Sequence, residues 1–131
     1  MLQIFRKKEG QKGFTLVELM IVIVIIGVLT AIAVPQFILH KKKGYVAAIN
    51  SDCKNAYTAA IAYNIDHAGV TPDLMAGGYV ASSGVSSTVT SWSNENNFVI
   101  TCSGDMSWNL NKPAATYTVV NGDLTVDQAR K

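Results

Sequence analysis

The distribution of apolar residues divides the chain into three kinds of segment. From Phe14 to Val34 only Thr15, Glu18 and Thr30 are polar. Twenty-one residues at helical rise span about 31 Å, the thickness of a bilayer core. Beyond this run the pattern becomes a stripe. Val46, Ile49, Cys53, Ala56, Ala60 and Tyr63 recur at steps of three and four, which is one face of an amphipathic helix. Gly69 and then Pro72 are the stop signals. With Pro35 accommodated, one helix is predicted from about Thr15 to His67, roughly 80 Å long.

Residues 70–96 hold no steady period. Gly77-Gly78 and the Ser-rich stretch after Ala81 read as a surface loop. Alternation begins at Asn97 and predicts four strands. Phe98, Ile100 and Cys102 share one face of the first, and Met106, Trp108 and Leu110 one face of the second. A three-residue loop, Ser103-Gly104-Asp105, sets Cys102 opposite Met106, Ile100 opposite Trp108 and Phe98 opposite Leu110. Tyr117–Val120 and Asp123–Val126 flank Asn121-Gly122, a type I′ hairpin signal that pairs Val119 with Leu124 and Tyr117 with Val126. Pro113 falls between the hairpins, as a connection allows. The expected fold class is therefore α+β. A long N-terminal helix packs its C-terminal half on a four-stranded antiparallel meander sheet.

Composition and charge add the solvent of each segment. The 131 residues are 49% apolar, enough for one modest domain once the apolar run is set aside. Net charge is +2, but it is unevenly placed. Arg6, Lys7, Lys8 and Lys12 outweigh Glu9 before the run, while the body after it is nearly neutral. A basic front end stays cytoplasmic and sends the C-terminal body outside, although Lys41-Lys42-Lys43 argues partly the other way. The near-neutral body gives no case for nucleic acid, which needs a clustered basic face. A secretory signal would have a shorter apolar core and a small-residue cleavage site after it, and neither is present.

Glu18 is the anomaly. An acid at membrane depth costs a few kcal/mol on insertion scales, so it has either a partner or a role. The alternative is a carboxyl near the helix end that reaches the interface or is protonated.

Residues 13–37 read GFTLVELMIVIVIIGVLTAIAVPQF. This strongly resembles the N-terminal signature of type IV pilins and of the related type II secretion pseudopilins. The likeness lies in the Gly-Phe junction after a short basic leader, the acid five residues in, and the later Pro-Gln-Phe. The resemblance implies a cleaved leader (1–13), a transmembrane and filament-core segment (14–34), a helix continuation (35–69) and a globular head (70–131), with the surface loop at 70–96 and the sheet at 97–127. It implies that a prepilin peptidase cuts between Gly13 and Phe14 and N-methylates Phe14. Glu18 then attracts the Phe14 amine of a neighbouring subunit, and this pairing sets the filament register. The helix between Gly27 and Pro35 is expected to unwind on assembly. Implied partners are further copies of the same chain, the inner membrane before assembly, the assembly platform and minor pilins. The implied location is the inner membrane first and an extracellular pilus afterwards.

Cys53 and Cys102 lack CxxC spacing and a nearby histidine cluster, so a zinc site is not expected. In an exported body they most simply form one disulfide, the alternative being two buried free thiols. Cys53 lies on the helix stripe and Cys102 on the expected inner face of the sheet. Pilins commonly carry their disulfide nearer the C-terminus, so their C-terminal receptor-binding loop is not carried over to this chain. His40 and His67 have no acid or nucleophile at a telling spacing, and no catalysis or cofactor is expected. Asp123 and Asp127 are a thin basis for a calcium loop. The aromatic residues of the helix, including Phe37, Tyr45, Tyr57 and Tyr63, read as packing groups. The favoured function is a structural filament subunit, a major pilin. The rivals are a pseudopilin and a minor or competence pilin that binds DNA.

Overall fold

The computed structural model describes residues 13–131. The basic residues before Gly13 lie outside the described residues. The chain divides into two compact units, one ending at Phe37 and the other comprising Ile38–Lys131.

Helix α1 runs Leu16–Asp66 and contains Pro35. It is long and apolar enough, by length and composition, to cross a membrane. The predicted stop holds. Asp66 ends the helix and Gly69 takes φ +80°, the left-handed conformation that glycine adopts at low steric cost.

In the C-terminal unit the stripe packs as the 3.6-residue period requires. Ile49, Cys53, Ala56 and Ala60 are fully buried. They form one core with Phe98, Ile100, Cys102, Ala115, Tyr117 and Val119 from the sheet. Three of the four stripe residues named are small, so the sheet can approach the helix backbone closely. Tyr57 fills the flank and lies 6.2 Å from Phe98 and 5.7 Å from Tyr117 between ring centroids.

The sheet is a four-stranded antiparallel meander, β1 (Val85–Asn94), β2 (Asn97–Gly104), β3 (Ala114–Val120) and β4 (Asp123–Asp127). The β3–β4 hairpin has the predicted register, Val119 opposite Leu124 and Tyr117 opposite Val126. Asn121 and Gly122 both have positive φ, as a type I′ turn demands.

The first hairpin differs from the sequence-based expectation. The segment 70–96 is not a loop throughout, because β1 occupies its last part and pairs with β2. Ser87 lies opposite Cys102, Val89 opposite Ile100 and Trp92 opposite Phe98. The strand is hard to read because two register shifts interrupt its alternation and its inward residues include Ser87. Conversely, Met106–Leu110 is not a strand. Met106–Trp108 is a short 3-10 turn, η1, and Asp105 caps it by accepting from the Ser107 N–H at 2.7 Å. Asn109, at φ 49°, ends it in the left-handed region. Its alternating apolar residues have a different purpose. Trp108 lies flat over Gly84 and Gly104, where a Cβ would come within 2.6 Å of its ring. On β3 the true partner of Cys102 is Ala115 and that of Ile100 is Tyr117.

The remaining connections are tied to α1. Buried Asp52 accepts from both the Ser82 N–H, at 2.7 Å, and the Ser82 hydroxyl, at 2.8 Å. The Asn50 amide clasps the backbone of Ala129 near the C-terminus, accepting at 2.8 Å and donating at 3.4 Å. At Gly77 the loop comes so close to α1 that a Cβ would stand 2.2 Å from the carbonyl oxygen of Ala59. Gly77→Ala is expected to destabilise the head by about 1–3 kcal/mol through overpacking. Gly44→Ala, in a helical site with open space around it, is expected to be neutral or stabilising by up to about 1 kcal/mol. Urea unfolding of the full chain in detergent, followed by circular dichroism, checks the contrast.

Candidate functional site

The N-terminal end of α1 places the one acid of the apolar run in a defined setting. Thr15 immediately precedes the helix, and its carbonyl accepts the Leu19 N–H at 3.2 Å. The Thr15 hydroxyl accepts from the Glu18 N–H at 3.2 Å. In return the Glu18 carboxylate accepts the Thr15 N–H at 2.8 Å and the Thr15 hydroxyl proton at 2.9 Å, both on Oε2. This reciprocal pair is a capping box, and it occupies helix-end donors that would otherwise lack partners. Glu18 is therefore not a bare acid in an apolar helix. Thr15 is the residue that sequence reasoning passed over, although the Thr-x-x-Glu spacing was visible at the start of the apolar run.

Gly13 and Phe14 precede the cap without regular structure, and Phe14 is exposed. The backbone N–H of Thr15 is already bonded to Glu18. An amine formed at Phe14 would thus stand one residue from this carboxylate in the same chain. Further along, Gly27 and Pro35 both lie within helix. Thr30 between them donates its hydroxyl to the Ile26 carbonyl at 2.7 Å, a bond that bends helices slightly. Pro35 supplies no N–H for the carbonyl four residues earlier.

In the C-terminal unit Cys53 and Cys102 are bonded, with Cα atoms 5.4 Å apart and a sequence separation of 49 residues. Both are fully buried. Asp123 and Asp127 stand at the two ends of β4, about 13 Å apart at strand rise, too far to share one ion. Asp127 is instead ion-paired with Lys112, whose hydrogen bond holds its carboxyl below the usual carboxylate range. Among the described residues no group of three or more His, Cys, Asp or Glu side chains is placed to hold a metal ion.

A helix with one capped acid near its start, continuing into a small disulfide-bonded α+β head, defines a structural subunit of the pilin type. Comparison with known proteins agrees. Residues 9–34 match the prokaryotic N-terminal methylation motif. The chain is 33% identical over 116 residues to the major component of the type IV narrow pilus of Thermus thermophilus, a match covering 87% of this chain and 90% of that protein. It is 48% identical over 52 residues to the type IV major fimbrial protein of Dichelobacter nodosus, covering 40% of this chain and 33% of the relative. The matched stretch thus spans about a third of the length of such fimbrial relatives. It is also 36% identical over 61 residues to the type II secretion system core protein G of Pseudomonas aeruginosa, covering 47% of this chain and 43% of the relative. No solved structure matches. The chain belongs to the type IV pilin family.

Two outcomes test the head. Replacing both Cys53 and Cys102 by Ala is expected to cost about 4 kcal/mol in the chain-entropy model, read as a lowered urea midpoint. The Asp127 carboxyl is lowered in the folded state, so its contribution is complete above the ordinary carboxylate range and lost as pH falls through its lowered value. Asp127→Asn is therefore expected to lose less stability than the parent as pH drops below about 4. Urea midpoints measured from neutral to acid pH check this.

Proposed function

We propose that this chain is the major pilin of a type IV pilus. Its leader would be removed between Gly13 and Phe14 by a prepilin peptidase, which also N-methylates Phe14. The mature subunit would wait in the inner membrane and polymerise into an extracellular filament for attachment and motility. The observation that carries the proposal is the capped Glu18 carboxylate, three residues from Thr15 and next to the proposed new amino terminus. On release from Thr15 it would pair with the Phe14 amine of an adjacent copy. A buried carboxylate without a partner is strongly unfavourable, so only staggers that supply an amine to each Glu18 are tolerated. Gly27 and Pro35 would be the limits of a segment that unwinds as the copies pack. Assembly-platform proteins and minor pilins would act on this subunit from outside. The full-length likeness to a pilus major component supports this reading over a minor subunit.

A pseudopilin of a type II secretion system is the second reading, favoured by the likeness to core protein G. The full-chain match to a pilus major component, against a match over 47% of the chain to core protein G, supports the pilus reading first.

Shearing cells and weighing the dominant filament subunit separates the two. The expected species begins at Phe14 and carries one methylation and one disulfide. Its absence from sheared filaments would favour a pseudopilin or a minor subunit. Glu18→Ala is expected to insert and be cleaved normally but to be absent from filaments. Normal filament yield from that variant would sink the pairing role.

A further inference from the structure

One face of the Ile38–Lys131 unit combines basic, aromatic and apolar groups at the border of its core. Lys41, Lys42 and Tyr45 of α1 line a shallow recess of about 380 Å³ with Ser107, Trp108 and Asn109 of the η1 turn. Tyr45 and Trp108 stack with centroids 4.1 Å apart and planes 5° from parallel. The Lys41 ammonium lies 5.7 Å from the Tyr45 centroid. Met106, on the same turn, is 92% exposed. The one acid of the turn, Asp105, accepts the Ser107 N–H at 2.7 Å and caps η1 with it.

This set matches the chemistry of a membrane interface. Tyr and Trp concentrate at headgroup level, and lysines hold their ammonium groups among phosphates while their stems lie on apolar surface. Lys41 follows Val34, the last residue of the apolar run, by seven residues. At helical rise that is about 10 Å, which keeps a lysine side chain within reach of the headgroup layer.

We propose that this face rests on anionic phospholipid headgroups while the subunit waits in the membrane. Lys41 and Lys42 bind phosphates, and the Tyr45–Trp108 stack and Met106 lie beside them at the headgroup level. The inference rests on the membrane-embedded state proposed above. It adds that the head is docked on the bilayer rather than merely tethered to it. Each lysine is expected to change the docked-to-undocked ratio about fivefold on an anionic surface.

The test uses the full chain carrying Trp92→Phe, which leaves Trp108 as its one tryptophan. The protein is reconstituted into vesicles of phosphatidylcholine alone or mixed equally with phosphatidylglycerol. Quenching of Trp108 by a headgroup nitroxide lipid is then measured. Stronger quenching is expected with phosphatidylglycerol, falling to the phosphatidylcholine level with Lys41→Gln plus Lys42→Gln or at high salt. Lys41→Arg plus Lys42→Arg should retain it. Equal quenching in both lipids, or no effect of removing the lysine charges, would overturn the proposal while leaving membrane insertion intact. Quenching that tracks protein-to-lipid ratio, with cross-links between copies, would assign the face to a second copy and also overturn it. Failure of the chain to resist alkaline extraction would overturn both this inference and the membrane state beneath it.

Discussion

Close approach between sheet and helix is the constraint on which the head depends. Cys53, Ala56 and Ala60 present little side-chain bulk, so the inner face of β2 and β3 settles against the helix backbone. At this distance Cys102 meets Cys53, and Gly77 can pass the Ala59 carbonyl only because it lacks a Cβ. Phe98 and Ile100 share the core with the bond, and Tyr57 packs against Phe98 and Tyr117. A larger residue in the stripe would lift the sheet and disturb all of these contacts together. The disulfide therefore acts at the centre of the packing, and a core this small gains proportionately from a restricted unfolded chain.

Polar groups extend the same logic to the periphery. Asp52 is buried yet takes two hydrogen bonds from Ser82, which fixes the path of the chain just before β1. Asn50 engages both backbone groups of Ala129, and Lys112 and Arg130 pair beside it. Tyr79 is buried near Asp52 and its hydroxyl is hydrogen-bonded to that of Ser87 at 2.7 Å, and burial pushes its phenol above the ordinary range. These contacts bring both connecting segments back to one stretch of α1. The sheet is thereby bordered by chain anchored to the helix.

Much of this was legible in the sequence where one physical rule dominates. The apolar run, the helix stripe, Gly69 as a stop and Asn121-Gly122 as a turn each follow from a single periodicity or a single allowed backbone region. The first hairpin was not legible, because two rules competed. Met106, Trp108 and Leu110 alternate like a strand, but Asp105 caps the segment as η1, and the Trp108 ring occupies the space that Gly84 and Gly104 leave free. β1 carries Ser and Thr on both faces and two register shifts, so neither polarity nor period marks it. At the N-terminal site Gly13, Phe14 and Glu18 stand out by charge and by resemblance. Thr15 was overlooked because a lone threonine in an apolar run carries no signal until it is read together with the acid three residues on.

The reciprocal cap at Thr15 and Glu18 also alters the energetics of the proposed polymer. Glu18 has hydrogen-bond partners in the isolated chain, so joining a filament would exchange one satisfied state for another. The net electrostatic gain per added subunit is then a difference between two favourable terms and is correspondingly small. Subunits of a lattice held by such exchanges would leave it at little electrostatic cost. Subunits withdrawn into the bilayer would regain the cap they gave up, ready for another round of use.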